Sequence, residues 1–265
     1  MKIGIVGCAG RMGRMLIQEV LATEATALAG GTEPSGPALG QDLGMLIGAR
    51  SLGLAVTTDT KALFAASDAV IDFTAPAATR LHAELAAAAG KILVVGTTGL
   101  GDDVRASLAA AAKNTVVIQA ANMSVGVNVL LALTEKLAAT LGPDYDLEIL
   151  EMHHRHKVDA PSGTALALGD AAARGRGVDL KAVARKTRDG QTGARPTGEI
   201  GFATLRGGDV VGDHTVIFAA DGERIEISHK ASSREIFARG AVRAALWAKG
   251  RAPGIYSMRD VLGLG

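Results

Sequence analysis

The most constraining feature of this sequence stands at its beginning. A short apolar run, Ile3–Val6, leads directly into Gly7-Cys8-Ala9-Gly10-Arg11-Met12-Gly13, and the residues after it carry Met12, Leu16 and Val20 on one helical stripe. A strand that turns through closely spaced glycines into a helix commits the chain to a parallel βαβ unit. The glycines let the backbone turn sharply and approach a pyrophosphate, and the free N–H groups at the helix start stabilise its charge. The spacing, G-x-x-G-x-x-G, is a variant of the usual fingerprint. Its context adds weight, because Glu33 lies about 20 residues beyond Gly13, where an acid can accept hydrogen bonds from adenosine ribose hydroxyls. Pro34 follows Glu33, and a carboxylate without a neighbouring arginine disfavours a 2′-phosphate, so NADH is expected to bind at least as well as NADPH, with Arg11 as the counterweight. Cys8 fills a position in this loop that needs a small side chain and reads as packing.

The alternation continues to about residue 120. Ile3–Val6, Ala25–Ala29, Ala69–Phe73, Ile92–Val95 and Thr115–Gln119 read as strands, with helices near Arg11–Ala22, Ala77–Ala89 and Asp102–Lys113. This predicts an α/β, Rossmann-type parallel sheet domain over residues 1–124. Two segments fall at the carboxyl edge of that sheet, where such folds place ligands: Gly96-Thr97-Thr98-Gly99, and Ala120-Ala121-Asn122-Met123, which also suits a hinge. The pattern then changes. Leu147–His153 reads as a strand, Thr164–Arg174 as a helix, and Ile200 to Ser228 as strands with a hairpin turn at Asp221-Gly222. This predicts a second α+β domain with a mixed sheet over 125–233. A last helix with Ser232 as N-cap and Glu235 three residues on runs to about Lys249, and the C-terminal segment 234–265 is expected to rejoin the first domain. The Gly-rich stretches Gly30–Gly44 and Gly190–Gly208 read as loops.

Composition removes several classes. Lys+Arg of 28 against Asp+Glu of 27 gives a net charge of +1 with no basic block, so no nucleic-acid footprint is expected. With Cys8 as the only cysteine no intrachain disulfide can form, and a cytoplasmic location is expected. The first apolar run is too short for a signal-peptide core and no run approaches a membrane span, so no membrane partner is expected.

Chemistry concentrates in Glu151-Met152-His153-His154-Arg155-His156-Lys157-Val158-Asp159-Ala160-Pro161-Ser162-Gly163-Thr164. Three histidines and a lysine lie between a strand end and a helix N-terminus. Ser162, Gly163 and Thr164 offer hydroxyls and backbone N–H groups to a carboxylate there, and His153 or Lys157 can give the proton that a hydride acceptor needs. The competing readings are a solvated polar loop and a metal site. The second lacks H-E-x-x-H and cysteine ligands, and adjacent His153 and His154 point to opposite faces of a strand, so no metal is expected.

This segment, with the G-x-x-G-R-M-G loop, Asp72-Phe73-Thr74, Gly96-Thr97-Thr98-Gly99 and His229-Lys230-Ala231-Ser232-Ser233-Arg234, resembles the dihydrodipicolinate reductase family over nearly the whole chain. The resemblance implies reduction of 4-hydroxy-tetrahydrodipicolinate, a small dicarboxylate, by NADH and/or NADPH with loss of water, in lysine and diaminopimelate biosynthesis. It implies His153 as the acid/base residue, Lys157 as a second proton donor, and His154, Gly163 and Thr164 as holders of the substrate carboxylates. It implies cofactor contacts at Gly7, Cys8, Ala9, Gly10, Arg11, Met12, Glu33, Gly96, Thr97, Thr98, Ala120, Ala121, Asn122 and Met123. It further implies a homotetramer built through the second domain's sheet, and two domains that close over the ligands. The chain departs from the family where some members carry arginine after the ribose-binding acid and this one has Pro34. The aromatic residue near Met123 is replaced too, which leaves van der Waals contact instead of stacking. Other classes on such an architecture fit less well. A semialdehyde dehydrogenase needs a catalytic-domain cysteine, and a dinucleotide sensor has no use for the His153–Thr164 cluster; a sugar or amino-acid dehydrogenase is the main competing reading.

Overall fold

The computed structural model describes residues 1–264, which form two compact units: Met1–Val125 with the chain from Arg234 onward, and Gly126–Ser233. The first unit runs β1 (Lys2–Val6), α1 (Arg11–Ala22), β2 (Ala27–Thr32), α2 (Leu43–Leu46), α3 (Thr60–Ala66), β3 (Ala69–Asp72), α4 (Pro76–Ala89), β4 (Ile92–Val95), α5 (Asp102–Ala111) and β5 (Val116–Gln119). The second holds nearly all of α6 (Val125–Leu141), then β6 (Asp146–His153), α7 (Gly163–Arg176), α8 (Leu180–Val183), β7 (Ala184–Arg185), β8 (Ile200–Arg206), β9 (Gly212–Ala220) and β10 (Glu223–Ala231). The chain returns to the first unit with α9 (Glu235–Ala248), β11 (Gly254–Tyr256) and α10 (Met258–Leu262).

The six strands of the first unit are all parallel, in the order β11-β5-β4-β3-β1-β2. Strand residues alternate between two cores. Ile3, Ile5, Ile71, Val94 and Ile118 face α1 and α9, whereas Val70, Leu93, Val95 and Val117 face α4 and α5. Progression along the sheet reverses between β1 and β3, and an open α/β sheet has its ligand crevice at the carboxyl ends of such a pair. The loops after those two strands touch: a Cβ on Gly7, whose φ is +67°, would sit 2.8 Å from Thr74 Cγ2.

Three local readings of the sequence are corrected. Gly30 and Gly31 belong to β2, although glycines here read as loop. Strand β2 must pass the buried Cys8, and a Cβ on Gly31 would come within 2.8 Å of the cysteine Cβ. Residues 200–206 of the other Gly-rich stretch are strand β8. Helix α9 begins at Glu235 with Arg234 as its N-cap and no side-chain cap, so no capping box forms at Ser232.

In the second unit the sheet order is β10-β9-β6-β8-β7, with β6 antiparallel to β9 and parallel to β8. Strand β6 alternates strictly, so Leu147, Ile149, Glu151 and His153 are buried while Asp146, Glu148, Leu150 and Met152 lie on the more open face. Leu147 and Ile149 pack with Leu168 and Ala172 of α7 and with Leu130 and Ala138 of α6. Residues Val125–Asp144, α6 and the turn after it, have a length and mean hydropathy (1.3) sufficient to cross a membrane, which corrects the reading that no run approaches a span. Glu135 and Lys136 interrupt the apolar run and hid it in the sequence. In the fold, the Leu130 and Ala138 face of this helix is core.

Candidate active site

The first unit builds a cradle at the crevice between β1 and β3. Helix α1 starts so close to the loop that a Cβ on Gly13 would lie 2.2 Å from Gly7 O and 2.6 Å from Cys8 Cα, so only glycine fits. Glu33, at the end of β2, accepts a hydrogen bond from Ala9 N–H at 2.6 Å, which ties the acid to the glycine loop. The Cys8 side chain is fully buried, and burial, reinforced by the nearby Glu33 charge, pushes its thiol up to about 12. Cys8 therefore offers the loop its backbone and no nucleophile.

Beside this cradle a cavity of about 340 Å³ is lined by Arg11, Met12, Gly96, Thr97, Thr98, Ala121, Asn122 and Met123, joined by Phe73, Thr74, Arg234 and Phe237. The structure thus gathers most of the residues singled out for the cofactor, and Arg234 and Phe237 are additions that α9 brings back from the far end of the chain. Thr97 is buried at 4% exposure. Its hydroxyl is taken by Asp72 Oδ1 (3.1 Å), Thr79 (3.0 Å) and Thr74 N–H (3.1 Å), so the loop contributes there through its backbone. Asp72 is fully buried and accepts from Thr74 N–H, the Thr74 hydroxyl and His82 Nδ1 (2.8 Å). Burial works to raise this carboxyl, but the hydrogen bonds from His82 and Thr74 outweigh it and hold it below the usual range.

The second unit carries a separate polar centre at the end of β6. His153, 8% exposed, places Nδ1 2.5 Å from Glu151 Oε2, and Arg206 grips both oxygens of that carboxylate at 2.8 and 3.0 Å. Burial tends to raise the Glu151 carboxyl, yet the bonds from Arg206, His153 and Ser162 N–H hold it below the ordinary carboxylate range. The ring of His214 stands edge-on to His153 at 5.1 Å, and its Nε2 lies 3.2 Å from the Ser162 hydroxyl. Burial, helped by the neighbouring His153, pulls His214 down to about 4, so it is neutral at physiological pH.

Ser162 caps α7 by accepting from Ala165 N–H, which, with His214, occupies the hydroxyl that the sequence suggested as a ligand group. Gly163 is exposed at the first turn of α7, with open space where a side chain would stand. The 154–161 loop carries Lys157, ion-paired with Asp159 at 2.8 Å, and His154, whose N–H donates to Val210 O. Sequence reasoning passed over Glu151, Arg206 and His214 as functional residues. The signal that locates them is strand register: β6 pairs Glu151 with His214 of β9 and His153 with Arg206 of β8.

A glycine-loop dinucleotide cradle on one unit and a carboxylate-backed histidine on the other define a nicotinamide-dependent oxidoreductase. The Dihydrodipicolinate reductase, N-terminus family matches residues 1–123, and the Dihydrodipicolinate reductase, C-terminus family matches residues 126–262. The chain belongs to the dihydrodipicolinate reductase family. It is 56% identical to the 4-hydroxy-tetrahydrodipicolinate reductase of Methylocella silvestris, covering 100% of this chain and 98% of that protein. It is likewise 56% identical to the enzyme of the same name from Dinoroseobacter shibae, covering 99% and 98%. Among solved structures, a dipicolinate-bound dihydrodipicolinate reductase from Paenisporosarcina sp. TG-14 shares the fold at a TM-score of 0.78 and 22% identity, covering 98% of each chain. An amine dehydrogenase from Mycobacterium smegmatis also shares it, at 0.61 and 14%, covering 97% of this chain and 95% of that one; the fold alone does not choose the reaction.

Proposed function

We infer that this chain reduces 4-hydroxy-tetrahydrodipicolinate to tetrahydrodipicolinate with NAD(P)H, a step of lysine and diaminopimelate biosynthesis. The observation that carries this reading is full-length identity of 56% to reductases of that name. Substrate, NAD(P)H and one proton give tetrahydrodipicolinate, NAD(P)⁺ and water. A bound dihydronicotinamide supplies the hydride to a conjugated double bond of the ring.

The cradle in the first unit fits such a cofactor, because a Cβ at Gly13 would fill the space the loop needs. Gly7, Cys8, Ala9, Gly10, Arg11 and Met12 would hold the pyrophosphate through backbone N–H groups and the start of α1. Glu33 would take the ribose, and Gly96 to Thr98 with Ala120 to Met123 would flank the nicotinamide. With Glu33 fixed by Ala9 N–H and followed by Pro34, NADH serves at least as well as NADPH. In the second unit His153 holds the proton to be delivered at Nε2, since Nδ1 is committed to Glu151. Lys157 is a second donor, and His154, Gly163 and Thr164 hold the dicarboxylate at the start of α7.

The open face of the second sheet carries Leu150, Met152, Leu205 and Ile217, with Leu205 47% exposed, and supports a homotetramer built through this sheet. Light scattering of the wild type against Leu205→Arg tests it, since a monomeric wild type excludes it. The single cysteine, free and buried, supports a cytoplasmic location.

The test of function is oxidation of NADH and NADPH coupled to enzymatically generated substrate, with wild type, His153→Ala and Lys157→Ala. Wild-type turnover that drops on the order of 10²–10⁴ in His153→Ala, with NADH binding intact, is the expected result. A wild type that binds NADH but leaves this substrate untouched excludes the reading.

A further inference from the structure

Because β6 alternates, Glu151 and His153 share its buried face two residues apart. A carboxylate buried to 1% exposure is costly unless its lone pairs are filled. Here Oε2 accepts from His153 Nδ1 (2.5 Å) and Arg206 Nη1 (2.8 Å), and Oε1 accepts from Ser162 N–H (3.0 Å) and Arg206 Nη2 (3.0 Å). An ionised carboxylate only accepts, so the nitrogen at 2.5 Å carries a proton. That leaves Nε2 as the one ring position able to gain or lose a proton. The neighbouring strand keeps it clear: a Cβ on Gly212 would stand 2.9 Å from His153 Nε2. Arg206 Nη2 also donates to Asp159 O at 2.7 Å, which clips the loop bearing Lys157 to the same carboxylate.

We propose that Glu151 is the positioning residue of the acid/base centre, fixing the Nδ1–H tautomer of His153 so that Nε2 meets the reacting atoms, while Arg206 balances its charge and anchors the Lys157 loop. This rests on His153 being the proton donor. The groups around the ring are Glu151 on its own strand, Arg206 from β8 and His214 from β9. Lys157 and Asp159 come from the loop, and His229 on β10 stands across from His214. His214 is neutral and Lys157 is paired with Asp159, so Glu151 and Arg206 are the charges that govern His153.

The test is Glu151→Gln in the full-length protein. Both donors at the Oε1 site, Ser162 N–H and Arg206, can only donate, whereas at Oε2 only Arg206 is so bound and His153 can change tautomer, so the amide oxygen takes the Oε1 site and the NH₂ faces His153 Nδ1. The ring proton then moves to Nε2. Ring ¹⁵N shifts of labelled histidine should show neutral His153 switching from Nδ1–H to Nε2–H, with kcat down about 10²-fold or more and KM for NADH within about twofold. A proton donor works only while protonated, so the alkaline limb of the kcat profile should move to lower pH in Glu151→Gln. In Arg206→Gln, which keeps the carboxylate and removes its countercharge, that limb should move to higher pH. A purely structural role gives no such opposed displacement.

An unswitched tautomer in folded Glu151→Gln overturns the proposal, as do limbs that move the same way. Should Glu151→Gln fail to fold, Arg206→Gln decides alone: an upward displacement supports the proposal and an unmoved limb overturns it. A fully active His153→Ala would instead sink the assignment of His153 as donor, while the tautomer switch in Glu151→Gln would still be seen.

Discussion

Gly13→Ala tests the cofactor cradle where the structure leaves least room. The added Cβ would lie 2.2 Å from Gly7 O, 2.6 Å from Cys8 Cα and 2.7 Å from Cys8 C, all backbone atoms that no rotamer change can move aside. Ordinary contact starts at 3.4 Å, so loop and helix must part by about 1.2 Å. Overpacking of this kind costs about 1–3 kcal/mol, which a domain with about 5–15 kcal/mol of stability survives. The loop amides, displaced by that distance, lose their hold on the pyrophosphate. Hydrogen bonds to charged groups are worth about 1.5–3 kcal/mol each, so losing one or two weakens binding by about 2–6 kcal/mol. At about 1.4 kcal/mol per decade, the Kd for NADH rises on the order of 10–10⁴-fold. Fluorescence titration with NADH, on protein whose folding is checked by circular dichroism, measures this. A folded Gly13→Ala that binds NADH within about threefold of wild type refutes the cradle reading.

Three further outcomes follow from the buried titratable groups. Native Cys8, its thiol pushed up to about 12, should resist iodoacetamide at pH 8 and react fully once the chain is unfolded; native labelling on the time scale of free cysteine would contradict its burial. His82→Ala removes the ring N–H that donates to the buried Asp72 carboxylate and should cost about 2 kcal/mol in urea unfolding and weaken NADH binding, since Asp72 also holds Thr74 and Thr97; an unchanged midpoint argues against the pair. His214, at about 4 when folded and 6.5 as its ordinary value, lets the unfolded chain bind a proton that the native state refuses, so stability falls as pH drops through this window. The loss is on the order of 3 kcal/mol, and His214→Gln should flatten that part of the urea midpoint against pH; an equally steep His214→Gln curve assigns the loss to other groups.

How much was legible in the sequence varies with the range of the interactions. Helix α1 and strand β4 have the bounds that their apolar periodicity indicates, and the hairpin between β9 and β10 turns at Asp221-Gly222, because each signal is local. Strand β2 runs on to Thr32 instead of ending at Ala29 because Gly31 answers to Cys8 and Gly30 to Leu63, each more than 20 residues away. Helix α6 went unrecognised: its apolar residues spread around most of its circumference, which blurs the 3.6-residue period. The His153–Thr164 segment was legible as chemistry because histidines, a lysine and a helix start are gathered in one stretch. Its supporting residues were not, since Arg206 and His214 lie more than 50 residues along the chain and reach β6 only by pairing with it.

The Glu151–Arg206 pair also shows why such a centre is hard to explain by stability. Taking two charges out of water costs several kcal/mol per ion, and apolar residues of similar size are often as stable in the same place or more so. Strand β6 already buries Leu147 and Ile149 on the same face, so continuing that apolar series to position 151 would suit the fold. Folding alone therefore gives no reason for a carboxylate there. The proton of His153 does: its Nδ1 needs an acceptor that cannot donate, and among side chains an ionised carboxylate is the group that meets that condition, here at 2.5 Å with its remaining lone pairs filled. Arg206 is then required to keep that carboxylate ionised at 1% exposure. The chain tolerates a buried ion pair at the end of β6 because that is where a histidine must hold one ring nitrogen still and leave the other to react.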